Sequence, residues 1–246
     1  MKNLSIDINA DLGEGIGNEI ELMPYLSSCS IACGGHTGDF NSMRQVVKLA
    51  KQHQVKIGAH PSFPDTNNFG RLVVDMSSED LFTSLKAQIE DILKVLNEYD
   101  LPLHHVKPHG ALYNLAAKDK NTASVIIDVI KSINLPIKLY APYKSVIAEL
   151  AIAENIDVIF EGFADRNYND DLSLVSRQNP NALITNSEEV FRHVFRMISK
   201  QKVMTIGRVE VPLKVATICV HGDTPNAVEL VSKIHQKLLN KNIAIE

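Results

Sequence analysis

Residues 4–15, LSIDINADLGEG, show the arrangement that decides the fold: a short strand that runs directly into a polar turn containing glycine. Residues 4–8 are typical of a β-strand because they are short and rich in β-forming side chains. The same order of strand and polar turn recurs along the chain. Further strands are predicted at residues 28–32, 55–59, 104–107, 137–140, 157–160 and 215–220, with a strand or hairpin at 203–211.

The segments between these strands carry helical periodicity. Apolar side chains recur at helical spacing within residues 43–50, 81–96, 190–198 and 227–238. The N-caps predicted for the later helices are Ser77 or Ser78, Ser187, and Thr224 followed by Pro225. Residues 166–183 show little periodicity, and we expect a long loop over the functional site there.

Repeated units of strand, loop and helix predict a largely parallel sheet covered by helices. Seven or eight such units in 246 residues favour a closed α/β barrel of the TIM type, with a doubly wound open sheet as the alternative. Because no linker composition interrupts the pattern, we expect one domain over residues 1–246.

Composition excludes several classes of protein. A formal net charge of −4 with scattered basic residues argues against nucleic-acid binding. Asp7 and Asp11 interrupt any apolar N-terminal run, so no signal peptide is predicted, and no run is long enough to predict a membrane span. Three cysteines without a paired framework are typical of buried, reduced thiols, and we therefore expect a cytoplasmic protein.

Polar side chains follow nearly every predicted strand. In a β/α barrel these turns meet at one end, where active sites are built. Each residue also has a local interpretation: Asp39 and Asp223 as helix caps, Asp165 with Arg166 as a structural pair, and Glu14 as a solvated loop residue. The repetition favours a shared site nevertheless. Its predicted members are Asn9, Asp11, Glu14, His36, His60, Arg71, Lys107, His109, Asp165, Arg166, His221 and Asp223.

This set of side chains indicates hydrolytic chemistry. Carboxylates and imidazoles exchange protons near neutral pH, and Lys or Arg can hold a carboxylate or a developing oxyanion. The GEGIG turn at residues 13–17 is neither a P-loop nor a dinucleotide fingerprint, and no GxSxG elbow is present. His and carboxylate residues could also bind a divalent metal, but no HExxH spacing supports one, and no metal ligand is predicted.

Seven ordered motifs carry a family resemblance. They are DINADLGEG, IACGGHTGD, GAHPSFPD, FGR, VKPHGALYN, EGFADRNY and TICVHGDTPNAV, between residues 7 and 228. Together they resemble the LamB/YcsF family. Gly35, Leu72 and Asp171 depart from residues common in that family, where Phe, Arg and Gly are usual; this affects the expected shape of the pocket.

The resemblance implies a barrel related to glycoside hydrolases and polysaccharide deacetylases. It also implies ATP-dependent opening of 5-oxo-L-proline to L-glutamate together with the 5-oxoprolinase subunits B and C, with ATP, and Mg²⁺ where ATP requires it, as co-substrate. Because the chain has no recognisable ATP motif, we expect the partners to activate the lactam. Two alternatives remain open: a metal-dependent amide hydrolase that acts alone, and a non-catalytic subunit that binds substrate.

On this interpretation the catalytic residues are Asp11, His60, Lys107, His109 and Asp165. The remaining members of the set, Asn9, Glu14, His36, Arg71, Arg166, His221 and Asp223, are expected to bind substrate. Asp11 or His60 would transfer protons, Lys107 would stabilise the oxyanion, and Arg71 or Arg166 would hold the substrate carboxylate. We expect Lys107→Met to lower turnover with folding intact, whereas a purely structural ion pair predicts mainly a loss of stability.

Overall fold

A computed structural model describes residues 4–246, and its framework is a parallel β-barrel surrounded by helices. The strands are β1 (Ser5–Leu12), β2 (Ser28–Ala32), β3 (Lys56–His60), β4 (His105–Val106), β5 (Lys138–Pro142), β6 (Val158–Phe163), β7 (Lys202–Met204), β8 (Glu210–Pro212), β9 (Thr217–Cys219) and β10 (Ala244–Ile245). Strands β1 to β6 pair in chain order. Strand β9 then pairs with both β6 and β1, which closes a seven-stranded barrel.

The closed barrel confirms the predicted fold class and excludes the open sheet. The remaining strands lie outside the ring. Strands β7 and β8 form an antiparallel hairpin, in agreement with the strand or hairpin predicted at residues 203–211, and β10 pairs with the start of β1. The prediction of a single domain includes residues 1–3, which lie outside the described residues.

Strand β1 runs four residues beyond its predicted end at Ile8. Its inner side chains are polar, with Asp7, Asn9 and Asp11 alternating with the apolar residues that face the helices. Polar residues therefore did not mark the end of the strand, because the interior of this barrel is itself polar. Strand β6 is longer than predicted in the same way and ends at Phe163 rather than Phe160.

The helices are α1 (Glu19–Leu22), α2 (Phe40–His53), α3 (Ser78–Glu98), α4 (Gly110–Ala116), α5 (Lys120–Ile133), α6 (Val146–Ala153), α7 (Ser187–Lys200) and α8 (Ala227–Leu239). Ser77 caps α3 as predicted by accepting the Asp80 backbone N–H. Helix α7 is capped by Asn186 rather than Ser187. Thr224 does not cap α8, because its hydroxyl donates to the Asp165 carboxylate instead.

The helices cover the outside of the barrel with their apolar faces. Val46 and Val47 of α2 and Ile89 and Ile92 of α3 are fully buried in this layer. Burial of these faces leaves the polar turns that follow the strands together at the carboxyl end of the barrel. Among residues 4–246, no helix combines the length and apolar character needed to cross a membrane.

Candidate active site at the carboxyl end of the barrel

A cavity of about 740 Å³ opens at the carboxyl end of the barrel. The predicted site residues line it except for Asn9, His36 and Asp165, which lie behind residues that do. The predicted loop between residues 166 and 183 is irregular and covers one side of the cavity, with Tyr168 and Leu172 to Gln178 on its wall. The barrel therefore brings together side chains that are up to about 200 residues apart in the chain, as Asn9 and Thr217 show.

Lys107 lies at the centre of the cavity floor. Its Nζ is 2.7 Å from Glu161 Oε1 and 3.0 Å from Asp11 Oδ1, and it contacts Asn9 Oδ1 at 3.3 Å and Cys219 Sγ at 3.2 Å. An ammonium group has three protons to donate, so these partners can account for all of them. The ion pairs also mean that Lys107→Met would leave two buried carboxylates without their cation. The expectation of intact folding is therefore replaced by one of lower stability.

The charges around Lys107 determine the protonation states on the cavity floor. Burial alone would lower the pKa of Lys107, but the neighbouring Asp11 and Glu161 carboxylates raise it well above its ordinary value. Burial raises the pKa of Glu161, against the opposing effect of the Lys107 ammonium. Burial would raise the pKa of Asp11, but its pKa is lowered, and the Lys107 ammonium contributes to this shift. Asp11 and Lys107 are therefore an ionised pair.

Three imidazoles surround the carboxylate of Glu14. Its Oε1 is 3.0 Å from His36 Nε2, 3.3 Å from His109 Nδ1 and 3.8 Å from His60 Nε2. The His36 ring stacks face to face on His109, with centroids 3.6 Å apart. Glu14 is therefore not a solvated loop residue. Although burial opposes it, the hydrogen bond from His36 Nε2 helps to hold the pKa of Glu14 below its ordinary range.

Backbone carbonyls fix the protonated nitrogen of two of these rings. His60 Nδ1 donates to the Lys107 carbonyl at 2.7 Å, and His109 Nε2 donates to the Phe69 carbonyl at 2.9 Å. A carbonyl oxygen only accepts hydrogen bonds, so these nitrogens carry the protons of the neutral rings. Burial lowers the pKa of His60 to about 3, so this imidazole is neutral near pH 7.

A second pair of side chains, His221 and Asp165, lies at the same cavity. His221 Nδ1 is 2.9 Å from Asp165 Oδ1, and the same carboxylate accepts the His221 backbone N–H and the Thr224 hydroxyl. Asp165 is completely buried and does not reach the cavity. Although burial opposes it, contact with His221 lowers the pKa of Asp165 to about 2. Asp165 therefore orients His221 rather than pairing with Arg166.

Arginine side chains line the rim of the cavity. Arg71 and Arg177 both contact the carboxylate of Asp223, at 2.6 Å and 3.1 Å, so Asp223 is not a helix cap. Arg166 is buried, donates to the Val175 carbonyl, and has no carboxylate partner among residues 4–246. Burial lowers the pKa of Arg166, and the charge of Arg177 adds to this effect. Arg166 is thus a cation at the wall that a bound anion could satisfy.

Two contacts of the site were missed in the sequence. Glu161 stands inside β6 and was given no catalytic or binding role from the sequence, although it lies closest to Lys107. Arg177 lies in the aperiodic loop, where the position of a residue does not indicate its role. Its positive charge, in a loop expected to cover the site, was the feature that could have predicted its place in the cavity wall. Asp39, in contrast, is the N-cap of α2 through the backbone N–H groups of Asn41 and Ser42, as its local interpretation stated.

Gly35 packs closely against Gln88 and Ser62, and none of these three residues lines the cavity. A Cβ at this position would lie 2.4 Å from Gln88 Oε1 and 2.4 Å from Ser62 Oγ. Gln88 fills this space and bonds both the backbone N–H and the carbonyl of Ser62. A larger residue at position 35 therefore requires that Gln88 move.

Comparison with known proteins agrees with this architecture. Residues 6–246 match the LamB/YcsF family. The chain is 39% identical to the 5-oxoprolinase A-subunit of Staphylococcus aureus strain bovine RF122 / ET3-1, over 99% of each chain. It is 35% identical to the lactam utilization protein of Thermus thermophilus, whose crystal structure superposes with a TM-score of 0.92 over 99% of each chain.

A more distant structure shares the fold alone. A GH18 chitinase from Pseudoalteromonas aurantia superposes with a TM-score of 0.56 at 11% identity, over 94% of this chain and 100% of the chitinase. This similarity confirms a barrel of the glycoside hydrolase type. It carries no information on substrate, because one barrel fold supports many chemistries.

Proposed function

The chain belongs to the LamB/YcsF family, and on that premise we propose that it hydrolyses the ring amide of 5-oxo-L-proline to give L-glutamate, as the A-subunit of a 5-oxoprolinase. The names of its relatives support a lactam as substrate and a complex of several subunits as the working form. The observation that carries the proposal is the floor of the cavity, where the ionised pair of Asp11 and Lys107 lies beside His60 and His221.

The cavity offers a group for each part of the substrate. Arg166, which lacks a carboxylate partner among residues 4–246, would hold the carboxylate of 5-oxoproline. The ring carbonyl would then face the floor, where Lys107 provides positive charge close to the developing oxyanion. Because the donors of Lys107 are already occupied, its contribution would come from its charge and from holding Asp11 in place.

Two side chains would move the protons. Asp11 would accept a proton from the water that adds to the ring carbonyl carbon, since its carboxylate is ionised and lines the cavity. When the C–N bond breaks, the ring nitrogen needs a proton to leave as an amine. His221 would donate it from Nε2, while Asp165 holds the opposite nitrogen and stabilises the imidazolium form.

ATP and two partner subunits complete the proposal. A five-membered lactam is a poor electrophile, and phosphorylation of its amide oxygen by ATP would activate the ring carbon for attack by water. Cleavage of the C–N bond would then leave an acyl phosphate, and hydrolysis of this acyl phosphate would give L-glutamate and inorganic phosphate. The chain carries no recognisable phosphate-binding loop, so we assign this step, with Mg²⁺ bound to the nucleotide, to subunits B and C. The requirement for ATP favours the cytoplasm as the place of reaction.

Reconstitution tests this assignment. Glutamate formation from 5-oxoproline and ATP is measured with this chain alone, with subunits B and C alone, and with all three. We expect turnover only in the complete mixture, and its loss when this chain carries His221→Asn. Robust turnover by this chain alone would contradict the division of labour. Undiminished turnover of the complete mixture with His221→Asn, together with retained lactam binding, would favour a subunit that only binds substrate.

A further inference from the structure

We propose that Glu14, His60 and His109 form a binding site for one divalent transition-metal ion of the zinc class. His60 Nε2 and His109 Nδ1 are 2.9 Å apart, and Glu14 Oε1 is 3.8 Å and 3.3 Å from them. The inference stands apart from the proposed function, because it rests on the arrangement of these three donor atoms and not on a substrate.

The three facing atoms of these groups lie close together and are all acceptors. The far nitrogens of His60 and His109 donate to the carbonyls of Lys107 and Phe69, so their near nitrogens are left as acceptors in the neutral rings. An ionised carboxylate offers only acceptors as well. Acceptors this close together repel each other unless a cation lies between them.

The distances suit a metal ion. A point equidistant from three atoms with these separations lies about 2.0 Å from each, which matches the bonds of about 2.0–2.2 Å that zinc forms with nitrogen and carboxylate oxygen. Two histidines and one glutamate are a donor set of catalytic zinc sites. The two carbonyl hydrogen bonds also correspond to the outer contacts that orient histidine ligands.

The local charge favours a cation at this point. Glu14 is nearly buried, and its partners among residues 4–246 are imidazoles. The Lys107 ammonium, which lines the same cavity, is already paired with Asp11 and Glu161. A buried carboxylate is costly unless a cation accompanies it. A divalent ion would supply that charge and would polarise a carbonyl or activate water at the cavity wall.

His36 is assigned a positioning role rather than a bond to the metal. Its ring is parallel to that of His109, with an interplanar angle of 3° and centroids 3.6 Å apart. The lone pair of an imidazole nitrogen lies in the ring plane, so one ion cannot lie in both planes. His36 Nε2 contacts Glu14 Oε1 at 3.0 Å and thereby orients the carboxylate.

Cobalt provides a direct measurement on the full chain. After removal of metal with a chelator, the protein is titrated with Co²⁺, and its visible absorption and the displacement of Co²⁺ by Zn²⁺ are recorded. We expect one equivalent of Co²⁺ to bind. Glu14→Gln and His109→Gln should lower the affinity by more than the 10- to 100-fold typical of losing an outer contact, about 100-fold or more. His36→Gln, which keeps a donor to Glu14, should cost no more than about 10-fold.

The control is His221→Asn, which changes a histidine of the same cavity outside the three ligands. It should leave Co²⁺ affinity unchanged, and circular dichroism with thermal melts shows whether each variant is folded. Absence of Co²⁺ binding by the folded wild-type chain would overturn the inference and leave a shared proton between the histidines. Loss of binding in His221→Asn with retention in Glu14→Gln would also overturn it. Neither result bears on lactam hydrolysis, because turnover is not measured.

Discussion

Asp7 and Asp11 lie on the same inner face of β1, yet the barrel gives them opposite properties. Asp7, near the amino end, accepts hydrogen bonds from the Ser28 and Thr217 hydroxyls at 2.7 Å and 2.6 Å, and burial raises its pKa. Asp11, at the cavity, contacts Lys107 and His60, and its pKa is lowered. A polar barrel interior therefore does not form an active site by itself. The neighbours of each carboxylate determine whether its pKa is lowered, so that it is ionised and can accept a proton.

The two ends of the barrel also differ in their cations. Lys56 is 3.7 Å from Asp7 and its side chain is 42% exposed, whereas Lys107 is buried between Asp11 and Glu161. Water screens the first pair and not the second. The amino end is therefore expected to tolerate loss of charge, and the carboxyl end is not.

Matched substitutions of the two aspartates should give the largest contrast. We expect Asp11→Asn to lower turnover of the reconstituted complex by about 10²–10⁴-fold, since the amide cannot accept a proton from water. Asp7→Asn, which keeps an acceptor for the hydroxyls, should change turnover by less than about threefold, because Asp7 does not line the cavity. Steady-state glutamate formation measures both. Equal losses in the two variants would show that the contrast between the two ends has no catalytic meaning.

Substitution of the two lysines tests the same contrast through stability. Lys107→Met should lower the free energy of unfolding by about 3–5 kcal/mol, because Asp11 and Glu161 lose their buried cation. Lys56→Met should change it by less than about 1 kcal/mol, as for other exposed pairs. Urea unfolding at pH 7 provides the measurement.

The same pair of variants separates a structural from a catalytic role. A Lys107→Met protein that is as stable as the wild type but lowers turnover about 10²–10³-fold would indicate that the ammonium acts mainly on the oxyanion. A stable variant with normal turnover would remove Lys107 from both roles.

The smallest expected effect concerns pH and Asp165. Its folded pKa of about 2 lies below the value of about 3.9 expected in the unfolded chain, so its ionised form stabilises the fold. This contribution, on the order of 2 kcal/mol, is present above pH 4 and is lost as the pH falls toward 2. Asp165→Asn should therefore be less stable than the wild type at pH 6, and the difference should shrink on acidification.

Ionisation of Asp7 should have the opposite effect on stability as the pH changes. Its pKa is raised in the folded state, so ionisation of Asp7 costs stability as the pH rises through that value. If Asp7→Asn lowers the stability, that loss should therefore not become smaller as the pH falls. Urea midpoints of both variants between pH 3 and pH 6 decide the question. A pH-independent effect of Asp165→Asn would assign its role to packing around His221 instead.

Much of the fold could be predicted from local patterns. Strand and helix periods and the polar turns are properties of neighbouring residues, so they indicated a closed barrel and a shared set of strand-end side chains. Residues 166–183 lacked periodicity and were expected to form the loop at the cavity, as the structure shows. Local caps were predicted less well: Ser77 was right, but Thr224 contacts Asp165, a residue 59 positions away.

Tertiary structure alone decided which of these side chains meet and in what state. The strand period places Asp7 and Asp11 on one face, but only barrel closure puts hydroxyls beside the first and Lys107 beside the second. Likewise, the position of Glu14 in a glycine-rich turn did not reveal its burial among three histidines. A pKa or a ligand geometry depends on desolvation and on partners distant in the chain, whereas periodicity depends on neighbours, and the sequence shows neighbours directly.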